Sequence, residues 1–534
     1  MSARLGGWVT TDDISGGIRL VRGLPSILRN PLDIERAHNI LERRFVDRES
    51  NFLKFVRRAV YENPKSPYLE MLAIAGCEYG DLERLLEDRG LEGAIQELFR
   101  QGVYLTIDEF KGRQPVVRNG RTIACDPGLL RNPLCMAYLQ AQTTGSGGES
   151  TPVPIDMDFV RERNVDYFLA LWHRGGKGWD HAVWGVPGHT DIVRVLDQCR
   201  FGEPPVRWFS QVDPHASGLH PRYRWSARIL RWGGILCGVS IPTPEHVPPD
   251  RPIPIVHWLR ETLDKGKTPH LITFVGPAVR LCQAAMEEGV DISGSEFSIG
   301  GEPLTERRLA MIERCGIAPV TRYGAIETGN FGYGCLKPNA PDDLHLYHDL
   351  HGVIQPGDND RIEGLPPNAL FVSSLLLSAP FVLINVSIGD QAVLEKRSCG
   401  CPLESFGWTT HIKKIRSFEK LTCGGMTFFD SEIIPVLEEV LPAHFGGTAI
   451  DYQIVEKESN RGLPQLLLRV NPNIGPLDED NVKEVFLDAV GAGSGAKRVM
   501  SLQWRSAGFL TVERRVPQTT ITGKIWHVLQ SNSS

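Results

Sequence analysis

Residues 271–323 alternate short apolar runs with helical patterns. Residues 271–275 (Leu-Ile-Thr-Phe-Val) are a short apolar run, and residues 278–288 (Ala-Val-Arg-Leu-Cys-Gln-Ala-Ala-Met-Glu-Glu) carry apolar side chains at helical spacing. Residues 296–299 (Glu-Phe-Ser-Ile) form the next short run, and a helical and a strand-like pattern follow over 306–323. Alternating strands and helices are typical of an α/β fold whose strands are largely parallel.

The rest of the chain extends this pattern in both directions. Apolar runs alternate with helical patterns from residue 134 onward, and the residues before that are mostly helical, with patterns over 33–46, 50–61, 67–75 and 82–101. The pattern changes near Lys413. Beyond it, the sequence predicts helices over 431–441 and 478–490 and strands over 449–455 and 465–470. We therefore predict an α/β fold with a large N-terminal domain (1–415) of mostly parallel sheets flanked by helices, and a small α+β C-terminal domain (416–534).

Composition excludes several classes of protein. The chain of 534 residues is longer than one ordinary core, and its net charge of -6 is unlike that of a general nucleic-acid binder, so we expect no nucleic-acid partner. The N-terminus lacks the apolar segment of a signal peptide, and the 11 cysteines have no disulfide-framework spacing. These features predict a cytoplasmic protein with reduced thiols.

One uncharged stretch, residues 368–389, is long enough to cross a membrane. Pro380 interrupts it, several serines lie within it, and β-branched residues fill its second half. Two buried strands, over 370–376 and 381–386, explain the stretch better. We expect no membrane span.

A glycine-rich loop follows a strand-like run over 134–140. It reads Thr143-Thr144-Gly145-Ser146-Gly147-Gly148, and such a loop can bind phosphate through backbone N–H groups. It lacks the Gly-Lys-Ser/Thr ending of a Walker loop, and the next helical pattern starts only near Asp158. Taken alone, the loop is equally compatible with a solvent-exposed glycine turn.

Four later segments carry polar groups at turns. In α/β sheets such turns, at the carboxyl ends of strands, are where ligands bind. Tyr323 could stack on a base, Glu327 could hold magnesium, and Asp390 could accept hydrogen bonds from ribose hydroxyls. The segments are Ser298-Ile-Gly300-Gly301-Glu302-Pro303, Arg322-Tyr323-Gly324-Ala325-Ile326-Glu327-Thr328, Ile388-Gly389-Asp390 and Thr519-Thr520-Ile521-Thr522-Gly523-Lys524-Ile525.

In this order the motifs resemble the AMP-forming adenylating superfamily of acyl-CoA synthetases, nonribosomal adenylation domains and luciferases, and most closely its phenylacetate–CoA ligase branch. The resemblance implies ATP and Mg²⁺ as cofactors, with the 143–148 loop on the ATP phosphates and a small domain that rotates between two half-reactions. It also implies a role for each motif residue: Gly301, Glu302, Tyr323 and Gly324 near adenine, Thr328 near the α-phosphate, Glu327 on magnesium, Asp390 on ribose, Arg416 at the hinge and Lys524 as the adenylation lysine.

The chain departs from the family pattern at three places. Glu149 follows the loop where the family has lysine, and only Gly389-Asp390 remains of the usual Tyr-Arg-Thr-Gly-Asp. The hinge Gly-Arg-x-Asp becomes Ile415-Arg416-Ser417-Phe418. Adenylation stays plausible with these changes, whereas the acceptor of the second half-reaction is left open.

Cysteines and a histidine indicate a second kind of site. Cys399 and Cys401 form a Cys-x-Cys pair, and Cys335 and His345 lie upstream. Three thiolates and one imidazole would make a closed structural zinc site, and some members of the phenylacetate–CoA ligase branch carry such a cluster. The alternatives are His348 in place of His345, or a pair of buried thiols without metal.

These observations support three hypotheses for function. The first is an ATP-dependent ligase that activates a small carboxylic acid as an acyl- or aryl-adenylate and passes it to coenzyme A. The second sends the adenylate to an amine, a carrier protein or another nucleophile, and the third is a catalytically silent homologue; a homodimer is compatible with all three. The region 184–275 is expected to line the acyl pocket, with candidates Trp184, His189, Trp208, Trp225, Phe274, Val275 and Gly276.

Overall fold

The computed structural model describes most of the chain. The described residues are 4–5, 9–135, 139–142, 152–216, 219, 222–325, 327–357, 360, 362, 365–418, 420–423, 426–459, 463–492, 496–518 and 528–530.

Helices surround the sheets throughout. In chain order they are α1 (Thr11–Leu28), α2 (Ile34–Val46), α3 (Arg48–Val56), α4 (Pro67–Ala75), α5 (Tyr79–Arg100), α6 (Ile107–Phe110), α7 (Met157–Glu162), α8 (Asn164–His173), α9 (His189–Arg200), α10 (Arg222–Leu236), α11 (Ile253–Asp264), α12 (Val275–Glu287), α13 (Glu306–Glu313), α14 (Asp430–Pro435), α15 (Leu441–Phe445), α16 (Glu479–Val490) and α17 (Ala496–Ala507).

The strands follow in the same order along the chain. They are β1 (Arg4–Leu5), β2 (Val9–Thr10), β3 (Val116–Arg118), β4 (Arg121–Ile123), β5 (Leu139–Gln142), β6 (Pro152–Ile155), β7 (Asp180–Gly185), β8 (Arg207–Ser210), β9 (Pro244–His246), β10 (Pro269–Phe274), β11 (Glu296–Gly300), β12 (Val320–Ala325), β13 (Gly329–Gly334), β14 (Leu344–Leu346), β15 (His351–Ile354), β16 (Ala369–Ser374), β17 (Val386–Lys396), β18 (Thr410–Ser417), β19 (Lys420–Cys423), β20 (Met426–Phe429), β21 (Tyr452–Glu458), β22 (Pro464–Val470), β23 (Leu510–Arg514) and β24 (Val528–Gln530).

A 12-stranded sheet forms the centre of the large domain, in the order β15-β16-β17-β18-β14-β13-β12-β11-β10-β7-β8-β9. The strands from β9 to β12 in this order are all parallel, because a helix or a longer crossover connects each of them to the next. The strands from β12 to β15 pair antiparallel. The predicted α/β class is confirmed, with parallel pairing in one half of the sheet.

The uncharged stretch over residues 368–389 lies in this sheet. β16 corresponds to the first predicted strand, and β17 begins only at Val386, so the predicted strand over 381–386 is a buried irregular segment. Near Asn385 the backbone pairs with Leu105 outside the sheet: the Leu105 N–H donates to the Asn385 carbonyl, and the Ser387 N–H donates to the Leu105 carbonyl. Within the described ranges, no helix is long and apolar enough to cross a membrane.

The C-terminal residues form a second, smaller core. β21 lies between β22 and β24 in a four-stranded sheet, with β23 at the far edge. Tyr452, Phe486 and Trp504 are buried in the cluster that joins this sheet to α16 and α17. The sequence predicts α16, β21 and β22, and it does not predict α17.

Glu458 connects the small core to the large domain. The Thr305 hydroxyl lies 2.8 Å from both of its carboxylate oxygens and donates its one proton to this carboxylate, and the Glu458 Oε2 lies 3.4 Å from Arg308 Nε. Thr305 caps α13, so the contact lies just beyond the Gly301-Glu302 motif. Gln503 of α17 adds a hydrogen bond to the Gln211 side chain at 2.6 Å.

Candidate active site

The first predicted motif forms a sharp turn at the end of β11. A Cβ atom on Gly300 would lie 2.5 Å from the Arg322 carbonyl oxygen, so only glycine allows β11 and β12 to approach this closely. Gly301 has a φ of 76°, which glycine adopts without strain. The two glycines therefore let the chain leave the sheet tightly at the strand end.

The side chain of Glu302 is fully buried and anchors the neighbouring turn. The backbone N–H of Gly276 donates to Glu302 Oε2 at 3.0 Å, and Arg308 Nη1 lies 3.5 Å from the same oxygen. This carboxylate therefore fixes the start of α12. The adenine-side role that the resemblance implies for Glu302 stays a prediction.

Tyr323 and Asp390 meet across the sheet. The Tyr323 hydroxyl donates a hydrogen bond to Asp390 Oδ2 at 2.7 Å, although the residues are 67 positions apart. Asp390 is 5% exposed, and burial together with the Asp390 carboxylate raises the pKa of Tyr323 well above its ordinary value. The structure thus brings two of the predicted nucleotide-binding residues together, Tyr323 as a neutral phenol and Asp390 as the carboxylate that accepts its hydrogen bond.

Glu327 and Thr328 lie in the tight turn between β12 and β13. Gly324 allows the turn, because a Cβ atom there would lie 2.5 Å from the Gly329 carbonyl oxygen. Gly329 has a φ of 78°, Thr328 is buried, and Glu327 is half-buried. Both side chains carry oxygen atoms, and the Glu327 carboxylate is close enough to contribute to the raised Tyr323 pKa.

Arg416 is held by an aspartate that sequence reasoning missed. Asp342 accepts hydrogen bonds from the backbone N–H groups of Lys414 and Ile415 at 2.9 Å and from Arg416 Nη1 at 3.1 Å. Lys414 has a φ of 55°, which is uncommon for a residue with a side chain. The contact joins positions more than 70 residues apart, so no local pattern could indicate it.

Two predicted elements lie outside the described residues: the 143–148 loop and Lys524. The strands around the loop are described, and β5 pairs antiparallel with β6 up to Gln142 and Pro152. α7 begins at Met157, as the late helical pattern predicts. The loop therefore connects two paired strands.

The acyl-pocket candidates separate into three groups. Trp184 is a core residue whose Nε1–H donates to the Val247 carbonyl at 2.8 Å, and Trp208 is also buried. Trp225 is 54% exposed on α10. Phe274, Val275 and Gly276 lie where β10 ends and α12 begins, next to the turn at Gly301, and the side chain of His189 lies outside the described residues.

A buried charge cluster near these strand ends is also absent from the sequence predictions. Arg194 Nη1 lies 3.8 Å from Asp191 Oδ1, while Asp197 lies 3.5 Å from Arg163 and 4.0 Å from Arg322. Burial lowers the pKa of Arg163 and lowers that of Arg194 to about 10. The spacing Asp191, Arg194, Asp197 on one face of α9 is the signal that could have revealed it.

The cysteines predicted for zinc do converge. His345 Nε2 lies 3.1 Å from Cys401 Sγ and 3.6 Å from Cys399 Sγ. Ligand atoms of Cys335, His345, Cys399 and His411 lie within 4.8 Å of one another. Hydrogen bonding with Cys335 lowers the pKa of the Cys401 thiol. The cluster joins the β13–β14 hairpin to the segment between β17 and β18.

Hydrogen bonds define how the histidines around this cluster can act. His345 Nδ1 lies 2.6 Å from the Trp408 carbonyl oxygen, which can only accept, so Nδ1 carries a proton and Nε2 is the ring nitrogen that faces the sulfurs. His348 Nε2 accepts from the Thr410 backbone N–H, away from the sulfurs. His411, which the sequence did not suggest, lies in the cluster and holds Asp343 at 2.7 Å.

Comparison with known proteins finds likeness in structure alone. No protein-family profile matches the chain, and no curated protein sequence matches it. A 2-hydroxyisobutyryl-CoA ligase in complex with 2-HIB-AMP and CoA, in the thioesterification state, is similar with a TM-score of 0.55 and 16% identity, over 94% of this chain and 91% of the ligase. An amide bond synthetase from Marinactinospora thermotolerans gives a TM-score of 0.42 and 13% identity, over 96% of this chain and 98% of that one.

The first of these likenesses covers both the large sheet and the C-terminal core. It confirms the fold that the motifs predict, and the phenylacetate–CoA ligase branch stays a prediction. The chain therefore has the fold of the adenylate-forming ligases.

Proposed function

We propose that this protein is an ATP-dependent ligase that activates a carboxylic acid as its adenylate. A carboxylate oxygen of the acid attacks the α-phosphorus of ATP and forms an acyl–O–P bond. The bond from the α-phosphorus to the bridging oxygen breaks, and pyrophosphate leaves with the electron pair. The observation that carries this proposal is the 2.7 Å hydrogen bond from Tyr323, near the end of β12, to Asp390 within β17, close to the turn of Glu327 and Thr328.

Asp390 suits the ribose of a nucleotide, and the turn at Gly301 suits its base. Asp390 has a second carboxylate oxygen and lies at the end of the Ile388-Gly389-Asp390 motif, so it can accept hydrogen bonds from ribose hydroxyls while Tyr323 holds it in place. The open backbone of Gly301 gives a flat aromatic base room to approach. These features support adenosine binding.

Glu327 and Thr328 would hold magnesium and the α-phosphate. The donor set fits this ion, because Mg²⁺ prefers oxygen ligands and binds through one or two carboxylates together with phosphate oxygens. When bound, the ion neutralises negative charge on the phosphate oxygens. The protein residues would orient the nucleotide, and the Thr328 hydroxyl, which donates to the Gly329 carbonyl at 3.3 Å, would turn to donate to the α-phosphate.

Lys524 and the 143–148 loop complete the proposal. Lysine near the transferred group would stabilise the charge that develops on the α-phosphate, and the loop would bind the departing phosphates through its N–H groups. Glu149 stands at the family's lysine position and weakens the loop's attraction for pyrophosphate. We expect pyrophosphate to be released more readily than in relatives with lysine there.

A thiol acceptor, and coenzyme A in particular, is the proposed second step. The thiolate attacks the acyl carbon, a C–S bond forms, and AMP leaves with the oxygen. The similar 2-hydroxyisobutyryl-CoA ligase, which binds 2-HIB-AMP and CoA, supports this acceptor. The similar amide bond synthetase keeps an amine as the second candidate, and a carrier-protein thiol would enter by the same chemistry.

A small domain that rotates about residue 416 would let one site serve both steps. The domains 1–415 and 416–534 are part of this proposal, and the segment held by Asp342 lies at their boundary. Glu458 makes contacts with Thr305 and Arg308 that only one relative placement of the two parts can form. Its ion pair is therefore a candidate latch for one of the two states.

We also propose a structural zinc ion at the cysteine cluster. Zinc with sulfur ligands at about 2.3 Å places ligand atoms about 3.6 Å apart around a tetrahedron. The distances from His345 Nε2 to the two sulfurs, 3.1 and 3.6 Å, suit this arrangement, and the proton on Nδ1 leaves Nε2 available. Cys335, His345, Cys399 and Cys401 would hold the ion and fix the two hairpins to each other.

The decisive experiment is exchange of labelled pyrophosphate into ATP across a panel of aryl, aliphatic and hydroxy acids. Exchange that depends on the acid supports adenylation, and absence of exchange with every acid favours a catalytically silent homologue. Mass analysis after adding coenzyme A, hydroxylamine or an amine identifies the acceptor. A thioester supports the CoA ligase function, whereas an amide formed in preference to the thioester would indicate an amide bond synthetase.

A further inference from the structure

Two helices, α1 and α10, pack closely side by side. A Cβ atom on Gly233 of α10 would lie 2.2 Å from Leu24 Cδ1 of α1, and a Cβ atom on Gly17 of α1 would lie 3.2 Å from Ile229 Cδ1 of α10. The two contacts occur in the same order along both helices, so the helices run in the same direction. Their outer sides are therefore neighbours on the surface.

Large apolar side chains project from the outer side of both helices. Trp232 follows Trp225 by two helical turns on α10, and Ile235 and Leu236 follow by one turn more, so these side chains form one stripe. Exposed apolar residues in a continuous stripe mark an interaction site, whereas single ones do not. The apolar residues of this face are between 41% and 71% exposed: Ile18, Val21, Trp225, Trp232, Ile235 and Leu236.

The same two helices carry only positive charge. Residues 14–32 contain three arginines and residues 214–244 contain four, and neither segment contains an aspartate, a glutamate or a lysine. The whole chain has a net charge of -6, so the rest of the chain is more acidic than the average. The charge of this face is therefore opposite to that of the protein as a whole.

The arginines of this face have neutral partners. Arg29 Nη2 donates to the Leu236 carbonyl at 3.1 Å, and the Arg228 guanidinium carbon lies 5.7 Å from the centre of the Trp225 ring. Arg22 and Arg228 are both exposed. None of the ion pairs found among the described residues involves an arginine of α1 or α10. The positive charge is thus available to an external anionic partner.

Charge and apolarity together select the kind of partner. A second copy in a two-fold interface would bring this arginine-rich face against itself, because such an interface uses the same patch on both subunits. A soluble polyanion would leave Ile235 and Leu236 exposed to water. The surface of an anionic bilayer suits both features, because its head groups are negative and apolar side chains are buried at the boundary with the acyl chains. Tryptophan is enriched at that boundary.

We propose that the face formed by α1 and α10 binds the surface of an anionic phospholipid membrane. Trp225, Trp232 and Leu236 enter the head-group region, and Arg22 and Arg228 lie against lipid phosphates. The inference goes beyond the proposed ligase function and does not depend on it, because neither helix contains a residue assigned to the nucleotide.

Flotation of the full-length protein with vesicles tests this proposal. Vesicles of phosphatidylglycerol and phosphatidylcholine in equal parts are expected to bind the protein at least about 10-fold more tightly than phosphatidylcholine alone, since each arginine near an anionic surface contributes a factor of about 5. Added salt should weaken the binding. Absence of binding to the anionic vesicles, or equal binding to both kinds of vesicle, overturns the proposal.

Variants locate the contact on the protein. Trp232→Ser should weaken binding to anionic vesicles about 10-fold or more, as expected for an apolar side chain withdrawn from lipid. Arg22→Gln and Arg228→Gln should each weaken it about 5-fold. The controls are Val46→Ser on α2 and Arg251→Gln, both at positions that are 84% exposed and outside this face. Equal losses in the controls, or unchanged binding in Trp232→Ser, contradict the assignment.

Two measurements without lipid separate the membrane from other partners. Sedimentation is expected to give the same mass for the wild-type protein and Trp232→Ser, and a dimer that the variant disrupts would assign the face to a second copy instead. Heparin, a soluble polyanion, should bind more weakly than the anionic vesicles do; equal affinity that Trp232→Ser leaves unchanged would assign the face to soluble polyanions. Pyrophosphate exchange should be the same in Trp232→Ser and the wild-type protein, so loss of vesicle binding and loss of adenylation are separate results.

Discussion

The hydrogen bond between Tyr323 and Asp390 gives the sharpest prediction. Tyr323→Phe removes a 2.7 Å bond to a carboxylate that is 5% exposed and leaves the packing of the ring intact. A buried hydrogen bond to a charged group is worth about 1.5–3 kcal/mol, so unfolding free energy should fall by about that amount. If Asp390 holds the ribose, KM for ATP should also rise about 10-fold, since 1.4 kcal/mol corresponds to a factor of ten.

Tyr347→Phe is the matched control for this change. Tyr347 is a tyrosine that is 1% exposed, and its hydroxyl has no hydrogen-bond partner among the residues that the structure describes. Its removal should therefore cost less than about 0.5 kcal/mol, the usual range for substitutions that break no specific contact. Chemical denaturation and steady-state kinetics on both variants supply the comparison. Equal stability losses in the two variants would falsify the role given to the Tyr323 hydroxyl.

The pH dependence of the same difference follows from the raised pKa of Tyr323. Burial comes first among its causes and Asp390 second, so the folded-state pKa lies above the unfolded value of about 10. The stabilisation is fully present below about pH 10 and is lost as pH rises through the folded pKa. The stability difference between wild type and Tyr323→Phe should be constant from about pH 6 to about pH 9 and shrink above about pH 10. Growth of the difference above that pH would contradict this assignment.

Three further predictions concern the small domain and the cysteine cluster. Lys524→Ala should slow adenylation at least ~100-fold while conversion of a supplied adenylate to thioester continues, as measured by pyrophosphate exchange and thioester formation; loss of both half-reactions would refute its specific role. Glu458→Gln should change the ratio of the two half-reaction rates about 5-fold or more, whereas Glu456→Gln, its neighbour on β21, should not; equal ratios in both variants would remove the latch. Elemental analysis should find about one zinc per chain, lost in Cys399→Ser and kept in Cys237→Ser, and metal-free wild-type protein of unchanged stability would exclude the ion.

The sequence predicts the parts of the fold that repeat a simple period. The helices and strands between residues 253 and 325 are found where alternation places them, because β10 and β11 are buried on both faces and the helices between the strands each have one apolar side. Residues 235–240 are mostly apolar but form no strand, because α10 continues to Leu236. A Cβ atom on Gly233 would lie 2.2 Å from Leu24 Cδ1, so close packing of α1 keeps this glycine-containing segment helical.

The sequence likewise predicts some residues of the candidate site and misses others. Motif order suffices to name Tyr323 and Asp390, and the structure joins them. It does not suffice for Trp184 and Trp225, since one lies in the core and the other on the outer surface. Contacts such as Asp342 with Arg416 bridge long distances along the chain, and no local period records which distant residue a side chain will meet.

The clamp at Asp342 has a consequence for exchanging parts between related proteins. Three donors from consecutive residues, at 2.9, 2.9 and 3.1 Å, fix the backbone up to Arg416 to the large domain. A chimera joined after Ser417 would keep all three and change only what lies beyond them. A chimera joined before Lys414 would need a partner sequence that supplies the same donors in the same left-handed turn. We expect chimeras joined after Ser417 to fold. A lower melting temperature for these chimeras than for those joined before Lys414 would contradict this expectation.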